Sequence, residues 1–422
     1  MNPGIRRRGA TIGSPTRRDV RRLGAVCAAL GALAATSVTL APGAAAVDIR
    51  SRQWYLDDMR IPEAWKVSTG KGVKVAVIDS GVNPATSSLK GQVLVDGVSG
   101  AAAYHSTRDN TGHGTSMAEI IAGTGAGNGI RGVAPGAKII PIRIAAGSPD
   151  GAEAKKAPTD GQAIRAAADS DAKIINMSFG GADPDSEMED AMKYAASKGK
   201  LMFVSAGNSG EKGNKFDYPV RYRFAIGVAA YDKSGTAAKF STHGDYVDLS
   251  APGVDIPSWC DGKFTEYCNT WGTSPSAAIA SASAALVWSA HPNWTGNQVL
   301  RTLIDTAGRS WSKNEVSSYL GYGFVRPRRV LIAKDINPGP PNEDPLAYQN
   351  YDPDAPTSAP PSSASPGHPA KKAGAPGSSA APVAAEKTSG GNTQTWAIIG
   401  VAAAVLVVGG AGFAVLRARR NA

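Results

Sequence analysis

Val73-Lys-Val-Ala-Val-Ile-Asp-Ser-Gly81 is the stretch that decides the fold. A nearly continuous run of β-branched and small apolar residues, closing on an acid and a glycine turn, predicts a central parallel strand buried on both faces, with Asp79 at its carboxyl end. Lys138 to Ile144, Lys173 to Met177, Leu201 to Ser205 and Phe224 to Ala229 repeat the same short apolar form. Helix-like segments lie between them at Thr115 to Ala122, Asp160 to Ser170 and Asp185 to Ser197. This alternation predicts an α/β, three-layer architecture around a doubly wound parallel sheet, and such sheets bind ligands at the carboxyl ends of their strands. Ahead of the first strand, Gln53 to Thr69 carries Trp54, Leu56, Ile61 and Trp65 at roughly helical spacing, which predicts a segment wrapped across the domain surface.

The polar residues at those strand ends can then be compared. Asp79 ends one strand, His113 opens a helix in Thr111-Gly-His-Gly-Thr115, and Asn208 follows a strand in Ser205-Ala-Gly-Asn-Ser209. Far downstream, Asn269-Thr-Trp-Gly-Thr-Ser-Pro-Ser-Ala-Ala278 leads into the apolar run Ile279 to Ala290, which reads as a buried helix. Ser274 sits at its start, beside free N–H groups and positive backbone dipoles, and Pro275 fits the first turn. Taken alone, Ser274 is a helix cap. Together the residues describe an acid that fixes an imidazole, an imidazole that takes a proton, and a hydroxyl made reactive by losing it. The Asn208 amide and the Ser274 N–H would supply two donors to a developing oxyanion.

Val77-Ile-Asp-Ser-Gly81, Gly112-His-Gly-Thr115, Ser205-Ala-Gly-Asn208 and Gly272-Thr-Ser274 occur in the order and at the separations of the subtilisin family of serine proteases, which the chain resembles from about Trp54 to Leu331. The resemblance implies a catalytic set of Asp79, His113 and Ser274 with Asn208 in the oxyanion hole. It also implies that Ser178, Phe179 and Gly180, in Ser178-Phe-Gly-Gly181, bind the substrate backbone as an added strand. Gly114-Thr-Ser-Met-Ala118 spells the family's usual serine block letter for letter, but it shares a helix with His113 and precedes the Asn208 block. Position therefore makes Ser116 a packed helix residue. The block at Ser274 departs from the family at Pro275, Ser276 and Ala278, which bears on helix geometry and leaves the oxyanion donor intact.

Other residues read more plainly. His105, His243 and His291 are solvated or loop histidines, since none lies between glycines opening a helix. Asp109 lies close to His113 in sequence and could compete with Asp79 for the orienting role, but its polar loop makes it read as a surface residue. Ala145 to Thr159 reads as an insertion loop near the cleft. No His/Cys cluster or acidic loop calls for a metal, and no cofactor is expected.

The ends of the chain explain its charge. Of the formal +10, residues 1–46, with their arginines less Asp19, and the tail (Arg417, Arg419, Arg420) carry all but a single charge, so the basic balance gives no case for nucleic-acid binding. Residues 1–46, with an Arg-rich start, an apolar stretch and Gly43-Ala-Ala-Ala46, predict a secretory signal peptide. Its loss would leave Cys260 and Cys268 as the remaining thiols of an exported protein, which predicts a disulfide. The protease-like domain is placed at 47–337, a Pro/Ala/Ser-rich flexible linker at 338–393, a membrane helix at 394–416 and a cytoplasmic tail at 417–422. This layout resembles the mycosins, membrane-anchored proteases of type VII secretion. The expectation is a single-pass endopeptidase of the cell membrane, its catalytic domain extracytoplasmic, acting on protein or peptide substrates beside type VII secretion components. The alternative is a structural component of such a system with weak or lost proteolysis.

Overall fold

The computed structural model describes residues 49–145, 151 and 155–350. The expected signal peptide, membrane helix and cytoplasmic tail lie outside the described residues, as do most of the linker and much of the insertion loop. Among the described residues no helix is long and apolar enough to cross a membrane.

Six parallel strands form the central sheet in the order β2-β1-β3-β4-β5-β6. They are β1 (Lys74–Asp79), β2 (Lys138–Arg143), β3 (Ile174–Met177), β4 (Leu201–Ser205), β5 (Ala225–Tyr231) and β6 (Leu249–Pro252). Because successive side chains point to opposite faces, each apolar run feeds two cores. Val75, Val77, Ile139, Leu201 and Phe203 face the helices His113–Ala122 and Thr273–Ala290. Ala76, Ile78, Ile140, Met202 and Val204 face Asp160–Asp169 and Ser186–Ser197. The first two strands lie side by side and the third returns to the other side of β1, so the strand order reverses between β1 and β3. A crevice at the carboxyl ends is the consequence.

The helix Thr273–Ala290 is apolar all round, and its residues from Pro275 to Trp288 are buried. An all-apolar helix belongs inside a domain. This one lies against the sheet, bringing its N-terminus to the carboxyl edge of the strands. Both capping boxes in the described chain are Thr and Gln pairs, Thr159 with Gln162 and Thr295 with Gln298, and they fix the starts of two outer helices.

Two features differ from the sequence expectation. A two-stranded antiparallel hairpin, β7 (Ile256–Trp259) and β8 (Tyr267–Thr270), precedes the Ser274 helix. Cys260 and Cys268 close it through a 2.04 Å S–S bond. Residues 338–350, placed in the linker by composition, lie against the body: Leu346 is only 3% exposed. Asn350 Oδ1 accepts from the Phe224 N–H at 2.6 Å, and Gln298 Nε2 donates to the Gly339 carbonyl at 2.8 Å. Pro and Gly hid this anchoring from a compositional reading.

The N-terminal wrap is tied down by side chains. Trp54 Nε1 donates to the Val254 carbonyl at 3.0 Å, and Arg52 reaches Asn269 Oδ1 and the Tyr267 carbonyl. The disulfide closes a loop of sequence separation 8. Replacing both cysteines by Ser is expected to cost about 2–3 kcal/mol by the loop-entropy relation, read from urea denaturation. A loss near zero would mean that the hairpin is held by its other contacts.

Candidate active site

Asp79 leaves the end of β1, and its carboxylate is buried. His113 begins the next helix, and its Nδ1 lies 2.7 Å from Asp79 Oδ1. A carboxylate only accepts, so Nδ1 carries the proton and Nε2 is left as an acceptor. The two glycines around His113 are steric requirements. A Cβ on Gly114 would come within 2.2 Å of the Gly81 carbonyl oxygen, and one on Gly112, whose φ is +81°, within 2.5 Å of the Asp261 carbonyl oxygen. Only glycine lets the helix start this close to the end of β1.

Burial by itself pulls the His113 pKa down, but the charge of Asp79, its hydrogen bond and the charge of Asp109 outweigh it and hold the imidazole above its ordinary 6.5. The side chain is 42% exposed, so substrate can reach it.

Asp109 corrects the surface reading. It is 6% exposed and accepts from the backbone N–H groups of Thr111 (3.0 Å), Gly112 (2.9 Å) and Thr115 (2.9 Å). The Thr115 hydroxyl also donates to it at 2.7 Å. Its Oδ1 lies 2.9 Å from the Ser80 hydroxyl, which is itself 3.2 Å from Asp79 Oδ1 and accepts from the Gly114 N–H at 3.0 Å. Asp109 therefore caps the helix that starts at His113 and braces the residue after Asp79. Asp109→Ala strands these donors and is expected to cost about 2–4 kcal/mol of stability, measured by denaturant unfolding. A loss under about 0.5 kcal/mol, the usual range of surface substitutions, would restore the surface reading.

Ser274 lies in the first turn of its helix, whose N-terminus is fastened to two strand exits. Its Oγ donates to the Ser178 carbonyl at 3.1 Å, and Ser178 Oγ donates to the Ser274 carbonyl at 3.1 Å. Behind this clasp, Asn176 is fully buried and satisfied by Ser178 Oγ at 3.0 Å and Ser281 Oγ at 3.1 Å. From the β4 exit, Asn208 Oδ1 accepts from the Thr273 N–H at 2.9 Å and the Thr273 hydroxyl at 3.1 Å. Thr273 Oγ1 in turn accepts from the Gly207 N–H at 3.0 Å. With its oxygen held, Asn208 keeps Nδ2 as a donor.

The structure thus pairs Asp79 with His113, and joins Ser274 to Ser178 and, through Thr273, to Asn208. It shows no hydrogen bond between Ser274 and His113. A cavity of about 270 Å³ opens beside Ser274, lined among others by Ser178, Phe179, Gly180, Gly207, Asn208 and Asp217. Ser116 is buried, donates to the Gly112 carbonyl at 2.6 Å and accepts from the Trp259 N–H, as a packed helix residue does. His243 and His291 stack on Tyr319 and Trp294, and His105 meets Tyr104 edge-on. Ser276, one of the departures, is also accommodated: its hydroxyl donates to the Pro252 carbonyl at 3.1 Å. Thr273, Ser80 and Asp217 were missed as site residues, and Asp109 was set aside as a surface residue. Thr273 and Ser80 had a signal, each lying inside a motif block, and so did Asp109, which is close to His113 in sequence.

Residues 70–323 match the family model described as the Subtilase family. Subtilisin Savinase of Lederbergia lenta is 33% identical over 274 residues, covering 64% of this chain and 97% of its own. Thermitase of Thermoactinomyces vulgaris is 32% identical over 278 residues, again 64% of this chain and 95% of its own. Among solved structures, MycP1 from Mycobacterium smegmatis is similar with a TM-score of 0.54 at 27% identity, over 68% of this chain and 86% of its own. The MycP3 protease from the type VII (ESX-3) secretion system gives a TM-score of 0.54 at 27% identity, over 67% and 88%.

Proposed function

The chain belongs to the subtilase family of serine peptidases, and on that premise we propose that Asp79, His113 and Ser274 are its catalytic triad, with Asn208 in the oxyanion hole. The observation that carries this reading is the 2.7 Å contact between Asp79 Oδ1 and His113 Nδ1, which leaves Nε2 ready to accept a proton. In the reaction the Ser274 hydroxyl turns from the Ser178 carbonyl toward Nε2 and gives up its proton as Oγ bonds to the scissile carbon. Catalytic hydrogen bonds of this kind are often long in free enzymes and tighten with substrate bound. Asn208 Nδ2 and the Ser274 N–H stabilise the oxyanion. His113 then protonates the departing amine, the C–N bond breaks, and water hydrolyses the acyl-enzyme by the same proton route in reverse. Ser178, Phe179 and Gly180 bind the substrate backbone as an added strand.

The titration of His113 gives this reading a pH signature. Since only neutral imidazole can take the proton, kcat/KM is expected to rise with pH through an apparent pKa above 6.5 and to fall below it. A profile whose acid limb lies below that value would contradict the pairing with Asp79.

The proposed setting is the extracytoplasmic face of the cell membrane, with residues 394–416 as a single-pass anchor, beside type VII secretion components. The sequence pattern of the two ends and the similarity to MycP1 and MycP3 support it. Membrane pelleting followed by protease treatment of intact cells tests it: the domain should pellet and be digested from outside. Recovery in the soluble fraction would refute the anchor.

One observation favours the alternative of a structural component with weak or lost proteolysis: the Ser274 hydroxyl is engaged by Ser178 and makes no hydrogen bond to His113. Incubating the purified full-length chain with an unstructured protein separates the two readings. New N-termini released by the parent, and absent with the Ser274→Ala variant, support the peptidase. Intact substrate at every pH supports the structural component.

A further inference from the structure

We propose that Asp217 makes the cavity beside Ser274 a recognition site for a Lys or Arg side chain, so that the enzyme cleaves after basic residues; this rests on the triad reading above. Two features place the carboxylate. Asp217 immediately precedes Tyr218, whose N–H and carbonyl are both bonded to Gly181, at 2.7 and 2.9 Å. The Asp217 Oδ2 then lies between Gly180 and Gly207. A Cβ built on Gly180 would be 3.5 Å from that oxygen, and one built on Gly207 would be 3.2 Å from it. Gly180 makes room for the Asp217 side chain, since a Cβ there would sit 2.9 Å from Asp217 Cβ.

Nothing in the described residues neutralises it. Asp217 makes no ion pair among them, and Arg221, four positions on, is committed to Asp245 at 2.6 Å while its guanidinium lies over Phe216 and Tyr246. The remaining lining is uncharged, built from Ser, Thr, Asn and Gly groups with Phe179, Tyr218 and Val220 as apolar walls. One carboxylate in an otherwise uncharged pocket, with Phe179, Tyr218 and Val220 beside it, matches an aliphatic stem that ends in a cation. The volume, about 270 Å³, suits one side chain. A substrate lying along Ser178 to Gly180 would direct into it the side chain that precedes the bond attacked by Ser274. A single acid in such a pocket sets specificity in serine proteases of unrelated fold. An acidic substrate side chain would meet repulsion there, which adds rejection to attraction.

The test uses the full-length chain and fluorogenic peptides that differ only in the residue before the scissile bond: Lys, Arg, Met, Phe or Glu. The expected result is a kcat/KM about 10- to 100-fold higher for Lys or Arg than for Met, the scale of a charge-assisted hydrogen bond. Asp217→Asn should collapse the Lys-to-Met ratio toward one, and Asp217→Lys should turn the preference toward Glu. A merely structural role would lower all rates without inverting the order. Labelling of Ser274 by a serine-directed phosphonate reports whether each variant is folded and competent. Cleavage by the parent without charge preference, or a ratio that Asp217→Asn leaves intact, overturns this inference while the triad reading stands. Failure of the parent both to cleave any peptide and to label overturns the triad reading and this inference together.

Discussion

Ser274→Ala is expected to lower kcat by about 10⁶, leaving folding and stability almost unchanged; the scale is that of nucleophile loss in subtilisin and is carried over from that relative. The structural basis is the position of Oγ. It stands in the first turn of a buried helix whose N-terminus is clasped by Ser178 and by the Thr273 and Asn208 pair. Removing it takes away the atom that would bond to the scissile carbon, while the clasp through Ser178 Oγ and the Ser274 carbonyl remains. The residual rate over the uncatalysed reaction would be about 10³–10⁴, from the oxyanion donors and binding alone. A variant that retains more than a hundredth of parental kcat would place the nucleophile elsewhere. Ser116 is no substitute, since its hydroxyl is buried and engaged by the Gly112 carbonyl and the Trp259 N–H.

Asp79→Asn is the second large effect, a fall of about 10⁴ in kcat, the scale of the same change in a serine protease of unrelated fold. An amide can present its N–H to Nδ1 and so favour the tautomer with the proton on Nε2, where it cannot accept from Ser274. The charge of Asp79 is also what holds the His113 pKa up against the opposing effect of burial. Its loss should therefore move the acid limb of kcat/KM to lower pH in the residual activity. A variant with an unmoved limb would mean that another carboxylate, with Asp109 the nearest candidate, governs the imidazole.

The fold was legible where burial on both faces forced continuous apolar runs. β1 to β5 could be read in this way, and β4 carries the boundaries that its composition predicts, Leu201 to Ser205. β6 was not, because Leu-Ser-Ala-Pro has neither a run nor an alternation. The hairpin β7–β8 was hidden because its stability comes from cross-strand partners such as Trp259 stacked on Tyr267, and partners are not a property of a local window. At the candidate site, Asp79, His113, Asn208 and Ser274 could be proposed from the sequence through the glycines and small residues that let backbones approach. Asp109 was not. Its neighbours are polar, as in any exposed loop, and only the fold brings the helix start and Ser80 around it. Asp217 was hidden for the same reason, since its meaning depends on Gly180 and Gly207, distant in sequence, closing on either side.

Two of the three departures after Ser274 have a physical account. Ser276 finds a carbonyl partner within the core, and Pro275 occupies the first helical turn, where a missing N–H breaks no helical bond.

The central claim is that the Ser274 hydroxyl becomes nucleophilic through His113. It is tested most directly by locating the adduct of a serine-directed phosphonate on the purified full-length chain by peptide mass spectrometry, in the parent and in His113→Ala. The account predicts a single adduct on Ser274 in the parent and none in the variant over the same time. An adduct on another serine, or equal labelling of Ser274 without the imidazole, would contradict it.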